Sequence, residues 1–278
     1  EAPTYDFGNV AIGGQDTHSL IITNSGGVPA VSLSGSTLTL PFDYEGSTYP
    51  GLSGDCTATL APGATCSVSL SFSPTVLATS NDTFTLSYND GVTGQSVPRD
   101  VTGTGVNPAQ LAIDQGPTFD YGTLATGSTQ VNLFTVSNSG DVTANNIAVV
   151  NSLSLPFQYE GGTYPGTSGN CGTSLASGAT CSIAVEYGPT ATGTHSDTID
   201  IQYDNGAIVT NTTRDVQGNA VDPALLVIDQ SPLYNFGSVP TGATRTFIFT
   251  MTNTGSFIAT GLSGAGLTPP FTYSGGSF

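Results

Sequence analysis

The segment Ser67–Phe72 reads SVSLSF, so serine and an apolar residue alternate along its whole length. Successive side chains of a β-strand point to opposite faces, and this period of two therefore indicates a strand with one buried face. The segment Ser182–Tyr187 reads SIAVEY and keeps the apolar positions of the first segment. We predict one such strand in each of two related units.

Two further segments, Phe84–Tyr88 (FTLSY) and Ile199–Tyr203 (IDIQY), alternate in the same way. They run into Asn89-Asp90-Gly91 and Asp204-Asn205-Gly206, respectively. Asn, Asp and Gly tolerate the positive φ angles of tight hairpin turns. No window of 11 residues carries a helical period, and we predict an all-β chain built from antiparallel sandwiches.

Short motifs recur in one fixed order along the chain, which identifies internal repeats. Cys56 and Cys66 return as Cys171 and Cys181, each displaced by 115 residues (171 − 56 and 181 − 66). A unit of about 115 residues has the size of one β-sandwich domain. The other recurring motifs are Tyr5–Gly8, Phe119–Gly122 and Tyr234–Gly237; Thr23–Gly26, Ser137–Gly140 and Thr252–Gly255; Leu40–Phe42, Leu155–Phe157 and Pro269–Phe271.

The repeats predict three domains, at residues 1–107, 108–221 and 222–278. The segment Ala109–Asp114 (AQLAID) opens the second repeat and recurs as Ala224–Asp229 (ALLVID), whereas the first repeat has no counterpart of it. The third repeat comprises only an N-terminal half. We expect the chain to be a window from a longer array; the alternative is that strands of a neighbouring chain complete the half-repeat by β-strand addition.

The joints between repeats are short and contain Pro108 and Pro223. Proline fixes φ, so such a joint swivels far less than a Gly/Ser linker would. Arg99 and Arg214 occupy the same place shortly before each joint, and an arginine fork suits a carboxylate of the same or the next repeat. We predict a stiff, extended rod in which these four residues fix the angle between repeats.

The charge balance excludes several classes of partner. The 278 residues include 3 Lys+Arg and 20 Asp+Glu, for a net charge of −17, and none of the three bases is lysine. Such a chain is unsuited to binding nucleic acid or an anionic membrane surface. A P-loop lysine and a Schiff-base lysine are also excluded. No run of 18 apolar residues occurs, so no membrane span is expected in this segment.

The cysteines are the strongest chemical signal. Four cysteines allow three connectivities, and the repetition favours local pairing of Cys56 with Cys66 and of Cys171 with Cys181. Metal binding and redox catalysis are weaker alternatives, because the chain has neither a C-x2-C motif nor a histidine near these cysteines. Structural disulfides predict an oxidising compartment, and thus a secreted or extracellular protein.

No catalytic or cofactor-binding site is predicted. A G-x-S-x-G motif is absent, and neither histidine recurs between repeats, so we expect no enzyme. Calcium is the rival hypothesis for a cofactor, since aspartates cluster near the repeat boundaries and hard cations prefer oxygen ligands. The aspartates concerned are Asp100, Asp114, Asp120, Asp215, Asp222 and Asp229.

The motifs, in their order, resemble the abnormal-spindle/hydin-type immunoglobulin-like repeats of bacterial choice-of-anchor D surface proteins. The resemblance rests on the FG motif, the N-x-G turn, the Pro-Phe pair and the C-x9-C element, and it covers the whole chain. It implies seven-stranded immunoglobulin-like sandwiches, secretion and tandem arrays on a bacterial cell surface. It implies no catalytic residues.

These observations predict a structural subunit or stalk of a bacterial extracellular filament or surface appendage, of the kind found in adhesion and biofilm. Its partners would be copies of itself or neighbouring repeats of the same long chain, with polymerisation by β-strand complementation. The alternative is an adhesin module that binds a host, matrix or glycan ligand directly.

Overall fold

The computed structural model describes residues 4–278, so the first three residues of the predicted first repeat lie outside the described residues. This part of the chain contains eighteen β-strands and two single-turn 3-10 helices, at Glu45–Ser47 and Glu160–Gly162. The prediction of all-β, immunoglobulin-like sandwiches is confirmed.

The described residues of repeat 1, 4–107, form eight strands in two sheets. One sheet has the strand order β1-β8-β7-β3-β5, and the other has the order β2-β6-β4. The core lies between them and is built from the apolar faces of both, with Leu20, Val68, Phe84 and Val101 among its buried side chains. The strands are β1 (Thr4–Ala11), β2 (Asp16–Thr23), β3 (Ala30–Gly35), β4 (Phe42–Tyr44), β5 (Thr59–Leu60), β6 (Thr65–Phe72), β7 (Thr79–Asn89) and β8 (Gly94–Val106).

Repeat 2 has a similar plan with one strand more at its start, and an isolated bridge between Ala144 and Leu175 stands where repeat 1 has β5. Its sheets have the orders β10-β16-β15-β12 and β13-β14-β11-β9, around a core that includes Phe134, Ile183 and Val216. The strands are β9 (Leu111–Ile113), β10 (Thr118–Ala125), β11 (Gln130–Asn138), β12 (Asn145–Val149), β13 (Phe157–Tyr159), β14 (Thr180–Tyr187), β15 (Gly193–Asp204) and β16 (Val209–Val221).

The sheets are not purely antiparallel, which the sequence did not indicate. Strand β1 pairs in parallel with β8, from Thr4↔Asp100 to Ala11↔Val106. Strand β10 pairs in parallel with β16 in the same register of repeat 2. Alternation of apolar residues reports which face of a strand is buried but not the direction of its neighbour, so this feature appears only in the fold.

The strand expected from SVSLSF exists as β6, but both of its faces are covered. Val68 and Phe72 are fully buried as predicted, and Ser69 and Ser71 are also buried, with 2% and 3% of their surface exposed. The cover over the serine face includes the segment Glu45–Gly54: the Ser69 amide donates to the Pro50 carbonyl, and its hydroxyl donates to Glu45 Oε2 at 2.9 Å. These hydrogen bonds satisfy Ser69, and the Ser71 hydroxyl donates to the Asp43 carbonyl at 3.4 Å.

Repeat 3 has only two regular strands within the described residues, β17 (Leu226–Ile228) and β18 (Met251–Asn253), which pair with each other. Its apolar residues are largely exposed, including Ile248 at 83% and Phe249 at 44%. The counterpart of Phe249 in repeat 2, Phe134, is fully buried, because strands from the second half of that repeat cover it.

Candidate functional site: an open groove along strand β2

A groove of about 440 Å³ runs along β2 in repeat 1. Its floor includes the buried side chains of Leu33, Phe84 and Leu86, which belong to the core. Its walls include the half-buried Ile22 of β2 and Tyr88 of β7. The groove is thus an opening into the sandwich between the edge of one sheet and the face of the other.

In repeat 2 the same place is filled by strand β9. It pairs antiparallel with β11, with Ile113 opposite Val136 and Leu111 opposite Asn138. Leu111 and Ile113 keep only 5% and 2% of their surface exposed, because both side chains point into the core. Strand β9 therefore closes this edge of the sandwich in repeat 2.

Three side chains form hydrogen bonds with the backbone of strand β9 and of Gln110 beside it. The Leu111 amide donates to the Tyr203 hydroxyl at 3.1 Å, across the core. The Gln110 amide donates to Asn138 Oδ1, also at 3.1 Å. The guanidinium of Arg214 donates to the Ile113 carbonyl. A strand of three residues alone makes few ladder bonds, so these side chains supply much of its attachment.

Repeat 1 carries the same three residue types at the matching positions, and all of them line the groove: Asn24, Tyr88 and Arg99. Asn24 Nδ2 donates to the Val28 and Leu60 carbonyls at 2.9 Å each, as Asn138 donates to Val142 and Leu175. The groove is therefore shaped like a strand site, although within residues 4–278 no strand lies in it.

The joint prolines lie against the N-x-G turn of the repeat that follows them. A Cβ atom on Gly140 would stand 2.1 Å from the Pro108 carbonyl oxygen, and one on Gly255 would stand 2.0 Å from that of Pro223. Only glycine permits such close approach of two backbones. The two prolines thus take equivalent places; their predicted role in fixing the angle between repeats stays a prediction.

Asp141 ties the first joint to repeat 2. Its Oδ2 accepts hydrogen bonds from the Asn107 amide at 3.0 Å and from Asn107 Nδ2 at 2.7 Å. The Asp141 amide donates back to the Asn107 carbonyl at 3.1 Å, and the Ala109 amide donates to the Asn205 carbonyl at 2.9 Å. No repetition in the sequence marks Asp141, because Gly27 and Ser256 occupy the matching positions of the other repeats.

The hairpin tip of repeat 2 touches repeat 1 directly. A Cβ atom on Gly14 would stand 2.1 Å from the Gly206 carbonyl oxygen, and one on Gly206 would stand 3.1 Å from the Ala11 Cβ. The Asp204-Asn205-Gly206 turn expected from the sequence therefore also forms part of the contact between the two repeats.

The arginines lie in different surroundings from those expected. Arg214 donates to a main-chain carbonyl of its own repeat, at Ile113, where an ion pair with a carboxylate was anticipated. The reason is topological: strand β9 brings an unpaired carbonyl to the place that the guanidinium reaches. Arg99 occupies the matching position at the groove of repeat 1. A role of either residue in setting the angle between repeats stays a prediction.

Both disulfides have the predicted connectivity, Cys56–Cys66 and Cys171–Cys181, each with a sequence separation of 10. The bonds fasten a loop onto β6 and β14, respectively, at the rim of the core. Disulfides persist in oxidising environments, which indicates an extracellular protein.

The aspartates proposed as calcium ligands do not form a cluster in the part of the chain that the structure describes. Across residues 4–278, no three His, Cys, Asp or Glu side chains stand close enough together to hold a metal ion. The aspartates instead serve local bonds: Asp114 accepts from the Thr135 amide, and Asp215 accepts from the Thr198 hydroxyl. The Gly122 amide and the Gln217 side chain lower the pKa of Asp120.

The geometry of repeat 1 agrees with a known domain type. Residues 1–104 match the model of the HYDIN/CFA65/VesB-like, Ig-like domain family. This match supports an immunoglobulin-like repeat family for the chain, while the specific resemblance to choice-of-anchor D proteins stays a prediction. No curated protein matches the chain.

Solved structures resemble the chain only remotely. The VesB protease of Vibrio cholerae is 19% identical over 40% of this chain and 32% of its own, with a TM-score of 0.34. PapD-like domain 7 of human CEP192 is 12% identical over 42% of this chain and 88% of its own, with a TM-score of 0.31. The secreted serine protease VesC of Vibrio cholerae is 14% identical over 74% of this chain and 49% of its own, with a TM-score of 0.28.

The chain thus spans about a third of VesB and about half of VesC. No described residues form a helix that is both long and apolar enough to span a membrane. The expectation that the chain is not an enzyme stays a prediction.

Proposed function

We propose that this chain is a load-bearing segment of an extracellular stalk or filament on a bacterial surface. The observation that carries the proposal is the parallel pairing of β1 with β8 and of β10 with β16. In each case a strand near the start of the repeat lies beside the strand that ends it, and both run in the same direction.

The parallel pairing determines how a pulling force acts on the hydrogen bonds between the two strands. Tension that pulls on the start of β1 and on the end of β8 acts along the two strands and shears all their hydrogen bonds together. In an antiparallel hairpin held by its open ends, the bonds break one after another. The parallel arrangement therefore raises the force that each repeat withstands, without requiring a larger core.

The first joint supports the same role. Four hydrogen bonds in total join the linker residues Asn107 and Ala109 to Asp141 and Asn205 of repeat 2. Because the hairpin tip of repeat 2 also meets Gly14 of repeat 1, the two repeats are held in one relative direction. A stalk needs such directional stiffness, whereas a flexible linker does not provide it.

The disulfides and the charge fit an exposed position outside the cell. Each disulfide prevents the segment between its two cysteines from being stretched when the repeat begins to unfold. A net charge of −17 keeps neighbouring rods soluble and apart. Presence on a bacterial surface and participation in adhesion or biofilm are parts of this proposal.

Single-molecule force spectroscopy tests the proposal. The chain is pulled from its two ends, and in a control variant repeat 1 is pulled between Thr79→Cys and Thr104→Cys, a pair at the open end of the β7–β8 hairpin. We expect a clearly higher rupture force from the chain ends than from the hairpin. Equal rupture forces in the two pulling geometries would contradict the proposal that the parallel pairing bears the load.

Reduction of the disulfides provides a second readout. Cleaving a disulfide with a sequence separation of 10 frees roughly 30 Å of additional chain per repeat, at 3.3–3.6 Å per residue. The rupture force in the shear geometry should change little, because neither cysteine lies on the β1–β8 pair.

A further inference from the structure

We propose that Asn205 modifies itself at the joint between the first two repeats. The main-chain nitrogen of Gly206 attacks the side-chain carbonyl carbon of Asn205, ammonia leaves, and water opens the resulting succinimide ring to aspartate or isoaspartate. This pair is the only Asn-Gly dipeptide in the sequence. The inference goes beyond the proposed function, because it concerns a reaction within one turn and not the bearing of load.

The reacting turn joins β15 to β16 and faces repeat 1. The Asn205 carbonyl accepts the Ala109 amide at 2.9 Å. A Cβ atom on Gly14 would stand 2.1 Å from the Gly206 carbonyl oxygen. Asn205 is half-buried and Gly206 is exposed, so water reaches the turn. Because glycine has no side chain, nothing attached to its Cα shields the attacking nitrogen.

A carboxylate is in place to accept the proton that this nitrogen must lose. The Gly206 amide donates to Asp204 Oδ1 at 2.8 Å. A general base must lie within hydrogen-bond distance of the proton that it takes, and Asp204 does. As the new N–Cγ bond forms, Asp204 takes the proton and passes it to the departing NH2 group, which leaves as ammonia. The carboxylate is thereby regenerated.

Two main-chain amides point at the oxygen that becomes negative during the attack. Asn205 Oδ1 accepts hydrogen bonds from the Ala207 amide at 2.9 Å and from the Ile208 amide at 2.8 Å. Addition of nitrogen to the carbonyl carbon places a negative charge on this oxygen, and both donors would stabilise it as an oxyanion hole does. The segment 204–208 thus brings nucleophile, base and oxyanion donors together.

The corresponding turn of repeat 1 has the same hydrogen bonds but lacks two of the reacting groups. The Gly91 amide donates to Asn89 Oδ1 at 2.8 Å, so an amide oxygen replaces the base. Asp90 Oδ1 accepts the Val92 and Thr93 amides at 2.9 and 2.8 Å. Hydrogen bonds, first of all from the Thr93 amide, lower the pKa of Asp90. At neutral pH its side chain is therefore a carboxylate, which resists attack by an amide nitrogen.

Conversion to isoaspartate would change the joint. The main chain then passes through Cβ and Cγ of residue 205, which lengthens the turn by a methylene group. The former main-chain carbonyl becomes a carboxylate close to Asp204. The lengthened turn no longer fits against Gly14, where the Gly206 carbonyl oxygen leaves no room even for a Cβ atom. A fresh chain thus has a stiff first joint, and an aged chain has a loosened one.

Mass spectrometry of the purified chain, kept at neutral pH over days, tests the inference. The reference is a peptide of sequence YDNGAIV, which copies Tyr203–Val209. We expect Asn205 to lose ammonia in the folded chain at least as fast as in the peptide. A slower loss in the chain would mean that the fold protects this residue.

Asp204→Asn isolates the role of the base, and Asn89 in repeat 1 shows that the turn forms with asparagine at this position. The change should slow the loss of ammonia from the folded chain at least about ten-fold. In the peptide YNNGAIV it should slow the loss by no more than about two-fold, because a free peptide does not hold the carboxylate against the nitrogen.

Spin labels at Asn81→Cys and Ser196→Cys report the effect on the joint. We expect a broader distance distribution after conversion. Asn205→Asp is the control: it copies Asp90 of repeat 1, adds the same charge and keeps the length of the main chain. Its distribution, measured on fresh protein, should stay narrow.

Two results would overturn the inference: an Asn205 that stays unchanged in the folded chain while the peptide converts, or a rate that Asp204→Asn leaves within about two-fold of the unmodified chain. An unchanged distance distribution after conversion would overturn the effect on the joint. In none of these cases does the stalk proposal fall, because it is tested by the force geometry of an unconverted chain.

Discussion

The main-chain amide of Leu111 donates a 3.1 Å hydrogen bond to the hydroxyl of Tyr203, which ties the first strand of repeat 2 to the opposite sheet. Tyr88 holds the same position in repeat 1, where it lines the open groove. The tyrosine hydroxyl thus accepts a strand amide in repeat 2, and in the described part of repeat 1 the same residue type lines the groove along β2. This difference makes repeat 2 an internal reference for repeat 1.

Replacing Tyr203 by Phe should destabilise repeat 2 by about 1–3 kcal/mol, since it leaves the buried Leu111 amide without its acceptor. Tyr88→Phe is the matched control and should cost less than about 1 kcal/mol, because within residues 4–278 no strand pairs with β2 at the edge beside Tyr88. Hydrogen exchange resolved by repeat measures both effects. Equal losses in the two repeats would contradict the assigned contact.

Removing the first disulfide with Cys56→Ala and Cys66→Ala should lower the free energy of unfolding of repeat 1 by about 2–3 kcal/mol. The loss follows from the closure entropy of a loop with a sequence separation of 10. Urea unfolding of the oxidised chain measures it, and repeat 2 with its own disulfide is the internal control. A loss shared by repeat 2 would show that the repeats do not unfold independently.

Asp55 should make the stability of repeat 1 sensitive to acid. Its Oδ1 accepts hydrogen bonds from the Ser67 amide at 2.6 Å and from the Ser67 hydroxyl at 2.9 Å, and these lower the pKa of Asp55. A lowered folded-state pKa contributes stability that is present above the unfolded pKa of about 3.9 and is lost as the pH falls through the folded value.

Repeat 2 supplies the natural comparison, because Asn170 accepts the same two bonds from Ser182. Asp55→Asn should therefore keep repeat 1 folded at neutral pH and reduce its loss of stability below pH ~4. Thermal unfolding between pH 2 and 7 measures this. An unchanged acid dependence in the variant would assign the effect to other carboxyl groups.

Gly14→Ala should loosen the first joint, because its Cβ would stand 2.1 Å from the Gly206 carbonyl oxygen of repeat 2. Gly27→Ala is the control, since a Cβ there meets nothing within 4 Å. Spin labels at the exposed positions Asn81→Cys and Ser196→Cys report the distance between the two repeats. We expect a broader distance distribution for Gly14→Ala alone, and an unchanged one would mean that the contact does not hold the joint.

Much of the fold is readable from the sequence. The alternation in Ser67–Phe72 predicts a buried strand, and the recurrence of Cys56 and Cys66 predicts local disulfides. These features are local: the period of two follows from strand geometry, and the close spacing of the cysteines favours their pairing. The burial of Ser69 does not follow from this alternation, because it depends on the segment Glu45–Gly54, which packs over that face of the strand.

The candidate site was only partly predictable. The recurrence of Arg99 and Arg214 shortly before each joint marks them as special positions. The group that the Arg214 guanidinium contacts does not follow from the sequence. Whether Arg214 faces a carboxylate or the Ile113 carbonyl depends on which strand lies across the core, and no local pattern records that neighbour.

The sequence by itself determined the repeat, the strand positions, the cysteine pairs and the acidic character, because each depends on composition or on residues close together in the chain. Only the tertiary structure decided the parallel pairing of β1 with β8, the hydrogen bonds of Asp141 with Asn107 and the hydrogen bond from the Leu111 amide to the Tyr203 hydroxyl. These three depend on contacts between residues 34 or more positions apart, and only the folded chain brings such groups together.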